Sequence, residues 1–230
     1  MTSETRLSGG WVTQGVVRVG DTVRRPVGPN AEFVHRLLDD LARVGFAAAP
    51  RYQGIDDAGR EILSFIDGEV PSDTREITWN DEQLTAAARL LRRFHDATAL
   101  SPLRGSSEVV CHNDYGPWNL VWREGVPVGL IDFDNAAPGA RLEDLGYAAW
   151  KHLNLGLADI PVGEQRRRLH VFTSAYEVEA DRLLLRAIDA SQGRMQALIE
   201  RARDSHRQAA ARLIASERSW LREKGSALVD

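Results

Sequence analysis

Apolar residues recur at Phe33, Val34, Leu37, Leu38, Leu41 and Val44, between a start signal at Pro29-Asn30 and a stop at Gly45. Steps of three and four put them on one side of a helix, so an amphipathic helix is predicted there. Ahead of it, residues 11–26 carry two β-branched runs around Gly20-Asp21, the signature of a hairpin. Short strands are expected near 51–55 and 61–66. After the loop at 67–71, Asn80 precedes Leu84, Ala87, Leu90, Leu91 and Phe94 at helical spacing, with Gln83 placed to complete a capping box. Residues 109–111, 120–122 and 128–131 read as short strands around turns. From Leu142 onward the pattern is helical, ending in an arginine-rich stretch to about Lys224. The expected plan is a β-rich first lobe, a hinge near residue 67, and a helical second lobe with a small hairpin at the cleft.

Composition narrows the partners. With 230 residues, 43% of them hydrophobic, the chain can bury a substantial core. The net charge of −4 is modest and no block of like charges runs along the chain. That gives no support to a nucleic-acid or membrane partner and points to a small one. Cys111 is the single cysteine, which excludes an intramolecular disulfide and a cysteine-based zinc site. The opening MTSETRLSGG lacks the apolar core of a signal peptide, so a cytoplasmic location is expected. Lys151 and Lys224 are the only lysines, which excludes any mechanism that needs a lysine in the first 150 residues.

The chemistry concentrates in one stretch, Cys111-His112-Asn113-Asp114-Tyr115-Gly116-Pro117-Trp118-Asn119, followed by Ile131-Asp132-Phe133-Asp134. Carboxylates and a carboxamide thus stand at the ends of short strands. Phosphoryl transfer asks for metal to neutralise phosphate charge, a carboxylate to accept the hydroxyl proton, and rigid positioning. Asp114, Asn119 and Asp132 could supply these. Read singly, each could equally be a turn former or a strand end.

The order His112, Asp114, Asn119 and then Ile131-Asp132-Phe133 resembles the H-x-D-x-x-x-x-N loop and hydrophobic-D-F triplet of protein kinases and of the aminoglycoside phosphotransferase and choline kinase-like family. The similarity continues in Leu90-Leu91-Arg92-Arg93-Phe94-His95-Asp96, which looks like the helix before the catalytic loop, and in 138–145, PGARLEDL. The resemblance implies an α+β, protein-kinase-like two-lobe fold, with a nucleotide-binding lobe at 1–67 and a catalytic, acceptor-binding helical lobe at 68–230. It implies a phosphotransferase that moves the γ-phosphate of ATP or GTP to a hydroxyl of a small molecule, an antibiotic being one candidate. Asp114 would be the base, and Asn119 and Asp132 would hold Mg²⁺. His112 is expected to be packed and to orient the loop, His95 to brace it, and Asp144 to cap the following helix.

In the first lobe the resemblance implies a small-residue phosphate loop at Gly9 and Gly10, and a strand residue gripping the phosphates at Arg24, with Arg25 its alternative. Neighbouring strand residues face opposite sides, so only one of the two can enter the cleft. Arginine replaces the kinase lysine here, and its fork suits phosphate. The family's partner glutamate on the following helix falls at Val34, which leaves the basic residue without that partner. Ser64, Phe65 and Ile66 fall beside the purine. From Lys151 onward fourteen basic residues face eleven acidic ones, a balance that argues against assuming a polycationic aminoglycoside as acceptor. The alternative from another class is a non-catalytic, kinase-like binding or toxin-immunity protein.

Overall fold

The computed structural model describes residues 4–7, 15–71, 79–157, 159–201 and 205–229. Gly9 and Gly10, and the start of the expected hairpin, lie outside the described residues.

The β-rich region is an antiparallel sheet of β1 (Glu4–Arg6), β2 (Val17–Val19), β3 (Thr22–Pro26), β4 (Tyr52–Ile55) and β5 (Arg60–Ser64), in the order β1-β2-β3-β5-β4. Gly20 takes a positive φ of 60° in the β2–β3 turn, as the Gly-Asp signal predicts. Helix α1 (Ala31–Arg43) buries Val34, Leu37, Leu38 and Leu41 of the expected stripe, leaves Val44 exposed at its C-cap, and is followed by Gly45 with φ 76°.

The helical region begins with α2 (Asp81–Thr98), whose capping box between Asn80 and Gln83 is formed as predicted. Then come β6 (Val109–Cys111), the hairpin β7 (Leu120–Arg123) and β8 (Val126–Leu130), and β9 (Ala137–Gly139). Strand β9 pairs with β6. It escaped prediction because three residues containing Pro138 carry no alternation to read. The stretch after residue 141 is helical but broken. Helices α3 (Arg141–Leu153), α4 (Val162–Tyr176), α5 (Arg182–Glu200), α6 (Ser205–Lys224) and α7 (Ser226–Val229) follow one another. Asn154 and Glu177 stop α3 and α4 in the left-handed conformation, and Asp181 caps α5 through Leu183 and Leu184 N–H. No helix among the described residues is long and apolar enough to cross a membrane.

One core runs through both regions. The Phe94 ring of α2 meets Phe46 at 6.0 Å and Phe133, beside Asp132, at 5.8 Å. The connecting segment is tied down by reciprocal backbone hydrogen bonds between Glu69 and Trp122 (2.8 and 2.7 Å), and Trp122 stacks on Trp79 at 4.6 Å. Leu130 N–H donates to the Ala48 carbonyl (2.7 Å), joining β8 to the turn after α1. The strands that present the motif are therefore fixed relative to the β-sheet by backbone contacts.

Helix α5 lies so close to α3 that a Cβ on Gly146 would stand 2.8 Å from the backbone carbon of Ala187. Gly163, in the first turn of α4, has open space around it. Gly146→Ala should lower stability by about 1–3 kcal/mol through overpacking. Gly163→Ala should raise it by about 0.4–1 kcal/mol by restricting the unfolded chain. Opposite shifts in melting temperature are the expected result; shifts of the same sign would contradict this packing.

Candidate active site

Asp144 organises the loop. It is fully buried in α3, yet its carboxylate faces the motif rather than its own helix. Oδ2 accepts His112 N–H (2.7 Å) and His95 Nε2–H (3.0 Å), and Oδ1 accepts Asn113 N–H (2.9 Å). The expectation that Asp144 caps its helix is thus corrected: Ala140 holds the cap position, and Asp144 ties the end of β6 to α3 and α2. Burial alone would raise its carboxyl pKa, but the hydrogen bond and charge of His95, with the field of His112 and its N–H, hold it below the ordinary value. His95 braces the loop through Asp144 and is itself fixed by Tyr176 Oη at 2.6 Å. His112 is packed edge-on against Phe133 and Tyr115, with its Nε2 3.1 Å from the Ile131 carbonyl. Because a carbonyl only accepts, Nε2 carries the proton.

Held this way, Asn113 adopts φ 62° immediately before Asp114. The Asp114 carboxylate is gripped on both oxygens. Tyr147 Oη–H donates to Oδ1 (2.6 Å) and Asn119 Nδ2–H to Oδ2 (2.9 Å). Burial, with Asp114 nearby, pushes the Tyr147 hydroxyl far above its usual range, so it stays a donor. Asn119 Nδ2 also donates to the Asp114 carbonyl (2.9 Å), which leaves its own carboxamide oxygen for another partner. Gly116 lies against the Trp118 indole, where a side chain would collide with the ring.

Asp132 stands at the end of β8 with φ 63°, a left-handed conformation that costs energy and marks a constrained site. Its side chain is 43% exposed, so it opens to the cleft. Partial burial of the carboxyl, and then the charge of the adjacent Asp134, raise its pKa; Arg25 opposes them. The pair is an excess of negative charge that a cation relieves.

Arg25 is that cation in the structure. Its guanidinium reaches Asp134 (2.5 Å), Asp132 (3.3 Å) and Glu61 (2.5 Å). Burial would lower its pKa, but Asp134 and Glu61 together raise it. Of the two neighbouring arginines, the one turned toward Asp132 is Arg25, not the expected Arg24. Arg24 lies on the other face of β3, bonded to Thr22 Oγ1 (2.5 Å) and 3.6 Å from Asp56. The helix glutamate absent at Val34 has a counterpart in Glu61, paired with Arg25 across β3 and β5. Glu61 is fully buried and is also 2.8 Å from His35 Nε2, whose ring stacks on Tyr52.

Ser64 ends β5 and Phe65 follows it. Their N–H groups are already used by Arg51 O (2.9 Å) and Asp21 O (2.8 Å), and Ile66 packs against Gly129. Glu61, Asp134 and Tyr147 were not singled out from sequence. A glutamate opening an otherwise apolar strand was the available signal for Glu61.

An antiparallel β-sheet with one helix, together with a helical body that carries an Asp–Asn loop and a following aspartate, is the architecture of kinase-like phosphotransferases. The model of the "Phosphotransferase enzyme family" matches residues 97–187. A trifolitoxin immunity protein of Rhizobium leguminosarum bv. trifolii is 39% identical over 201 residues, covering 80% of this chain and 74% of that protein. Among solved structures, the GDP complex of wild-type aminoglycoside 2'-phosphotransferase-IIIa superposes with a TM-score of 0.65 at 15% identity, covering 94% of this chain and 92% of the other. The microcompartment-associated aminopropanol kinase gives 0.66 at 14% identity, over 100% and 94%. The chain belongs to the phosphotransferase enzyme family whose members include the aminoglycoside phosphotransferases.

Asp144→Asn replaces an acceptor that serves three donors, and should cost about 3–5 kcal/mol, the usual result of breaking a buried charged network. The carboxyl pKa is lower folded than unfolded, so its stabilisation is present above the ordinary Asp value and is lost as pH falls through the folded value. In denaturant titrations the gap between wild type and Asp144→Asn should be full at about pH 7 and shrink toward about pH 3. A gap independent of pH would refute the charged network.

Proposed function

We propose that the chain is a nucleotide-dependent small-molecule O-phosphotransferase using ATP or GTP and Mg²⁺, with Asp114 as base. The observation that supports this most directly is the Asp114 carboxylate held by Tyr147 and Asn119 in the same array as Asp132, facing Arg25. The family and the kinase-like neighbours support the reaction class.

The residues present suit Mg²⁺. Asp132 offers an exposed carboxylate with surplus negative charge, Asn119 a carboxamide oxygen, and hard oxygen donors are what this ion takes. Bound there, Mg²⁺ would neutralise charge on the β- and γ-phosphates. Asp114 accepts the proton of the acceptor hydroxyl as that oxygen attacks phosphorus. Its two hydrogen bonds fix which lone pairs face the acceptor, so the base is placed before substrate arrives. Arg25, braced by Glu61, would turn its fork from Asp132 and Asp134 to the phosphates once these are bound. Within the lobe at 1–67, Gly9 and Gly10 would cover the phosphates. The carbonyls of Ser64 and Phe65, with the backbone from Ile66 onward, would meet the base. The lobe at 68–230 would hold the acceptor.

The identity to a trifolitoxin immunity protein supports a second reading, in which the cleft protects its host by binding a toxic compound without transfer. Nucleotide and metal dependence separate the two. With Mg²⁺, nucleotide at about a hundred times Kd should stabilise the wild type by about 2.7 kcal/mol, or roughly 5–11 °C in melting temperature. Asp132→Asn should erase the Mg²⁺-dependent part and Asp114→Asn keep most of it. In an acceptor screen by mass spectrometry, Asp114→Asn should reduce transfer about 10²–10⁴-fold. No nucleotide-dependent shift in the wild type under any metal would favour the binding reading.

The position of Arg25 gives a separate test. Arg25→Lys keeps the charge but loses the fork, and should weaken nucleotide binding by about 1.5–3 kcal/mol, with Arg24→Ala close to wild type. Calorimetric titration showing the reverse order would remove Arg25 from the phosphate site.

A further inference from the structure

The carboxylates that suit a divalent ion already hold a cation of the chain's own. Arg25 Nη1 lies 3.3 Å from both Asp132 Oδ1 and Asp134 Oδ2, and Nη2 lies 2.5 Å from Asp134 Oδ1. The guanidinium therefore bridges the two acids. Its Nε end is fixed separately, 2.5 Å from Oε1 of the fully buried Glu61. Asp134 is held in its turn. Asn30, ahead of α1, donates through Nδ2 to the Asp134 and Ala136 carbonyls (3.2 and 3.1 Å), and a Cβ on Gly28 would stand 3.6 Å from Asp134 Oδ2. The bonds to the two acids are unequal. Asp134 takes the fork on both oxygens, whereas Asp132 receives one long bond from Arg25, on one oxygen, and its side chain stays 43% exposed. Glu61 and Asp134 anchor the guanidinium, and it reaches Asp132 loosely.

We propose that the Arg25 guanidinium is a built-in occupant of the metal site: it and a divalent ion exclude each other at Asp132 and Asp134, and the ion enters when phosphates draw the guanidinium away. This rests on Asp132 being a metal residue, and it adds Asp134 to the site as the residue that keeps the guanidinium there. Two effects act together. The N–H donors take carboxylate lone pairs that a hard ion would use, and they belong to a group that cannot shed its charge by losing a proton. Like charges also repel strongly in a partly buried setting, where salt screens little. A phosphate removes both obstacles, because it accepts the fork as a carboxylate does and brings its own negative charge. Releasing Asp132 costs the guanidinium only its long bond. Ion and phosphate should therefore raise each other's affinity by the same factor, since such coupling is reciprocal.

The test uses the ion alone. Mn²⁺, which takes the same oxygen donors, is titrated at constant ionic strength without nucleotide, and binding is read from loss of the free-ion electron paramagnetic resonance signal. Wild type is compared with Arg25→Gln, with Arg25→Gln/Glu61→Gln, with Arg25→Gln/Asp132→Asn and with Arg24→Ala, each checked for folding by circular dichroism. The Glu61 change is included because Arg25→Gln alone leaves a buried carboxylate without its guanidinium; the double variant also keeps the net charge of the wild type. Arg25→Gln, or that double variant where the single one does not fold, should bind Mn²⁺ at concentrations lower than wild type by about tenfold or more. Adding Asp132→Asn should abolish the gain, and Arg24→Ala should stay close to wild type. Equal affinity in wild type and the folded Arg25 variants would overturn the proposal. So would an equal gain in Arg24→Ala, which would trace the effect to general charge, or a gain that survives Asp132→Asn, which would put the ion elsewhere. The phosphotransferase reading outlives such a failure if Mg²⁺ still adds to the thermal shift given by nucleotide; if that shift is missing as well, both fall.

Discussion

A carboxylate buried in the middle of a helical body must be surrounded by donors, and the way Asp144 meets that requirement determines the position of nearly everything else. Two of its donors are consecutive backbone N–H groups of the motif, and the third is a histidine from α2. The loop therefore cannot shift without leaving a charge unpaired in the core, a large penalty for a domain of ordinary stability. Asp114, Asn119 and Tyr147 take their places on this frame. The strain at Asn113 and Asp132, both held at positive φ, is sustained by the same network.

Much of this was legible in the chain, and the reasons differ between elements. Helices α1 and α2 announced themselves by an apolar stripe and, for α2, a capping box, because their stability comes from burying one face and from local hydrogen bonds. The loop and the triplet were readable because their chemistry demands particular residue types at fixed spacing. The choice between Arg24 and Arg25 was not. A strand fixes only that neighbours face opposite ways; which of them faces the cleft depends on β3 pairing with β5. Glu61 was hidden for the same reason, since its partner lies 36 residues away in the chain. Asp144 sat where a capping residue is expected, and only tertiary packing shows that its donors come from another element.

The helical remainder was the least legible part. Continuous helical pattern from residue 142 concealed the breaks at Asn154 and Glu177, where the helices stop on left-handed residues that are not glycine, although Gly156 and Pro161 lie within the first break. Those breaks bring α5 and α6 back onto α3, and with them Glu217 onto Trp150. The surroundings of Trp150 are thus a product of helix packing.

The pairing of Arg25 with Glu61 has a consequence for control. In a kinase-like site whose basic residue is matched by a glutamate on the neighbouring helix, sliding that helix can make or break the ion pair. Here both members sit on hydrogen-bonded strands of one sheet, directly opposite each other. They move as a single rigid piece. Among the described residues helix α1 touches the pair through His35, so displacing it would unseat an imidazole and leave the guanidinium matched. The Arg25–Glu61 match at this end of the cleft is thus built into the sheet, so pressing on α1 does not by itself separate the two.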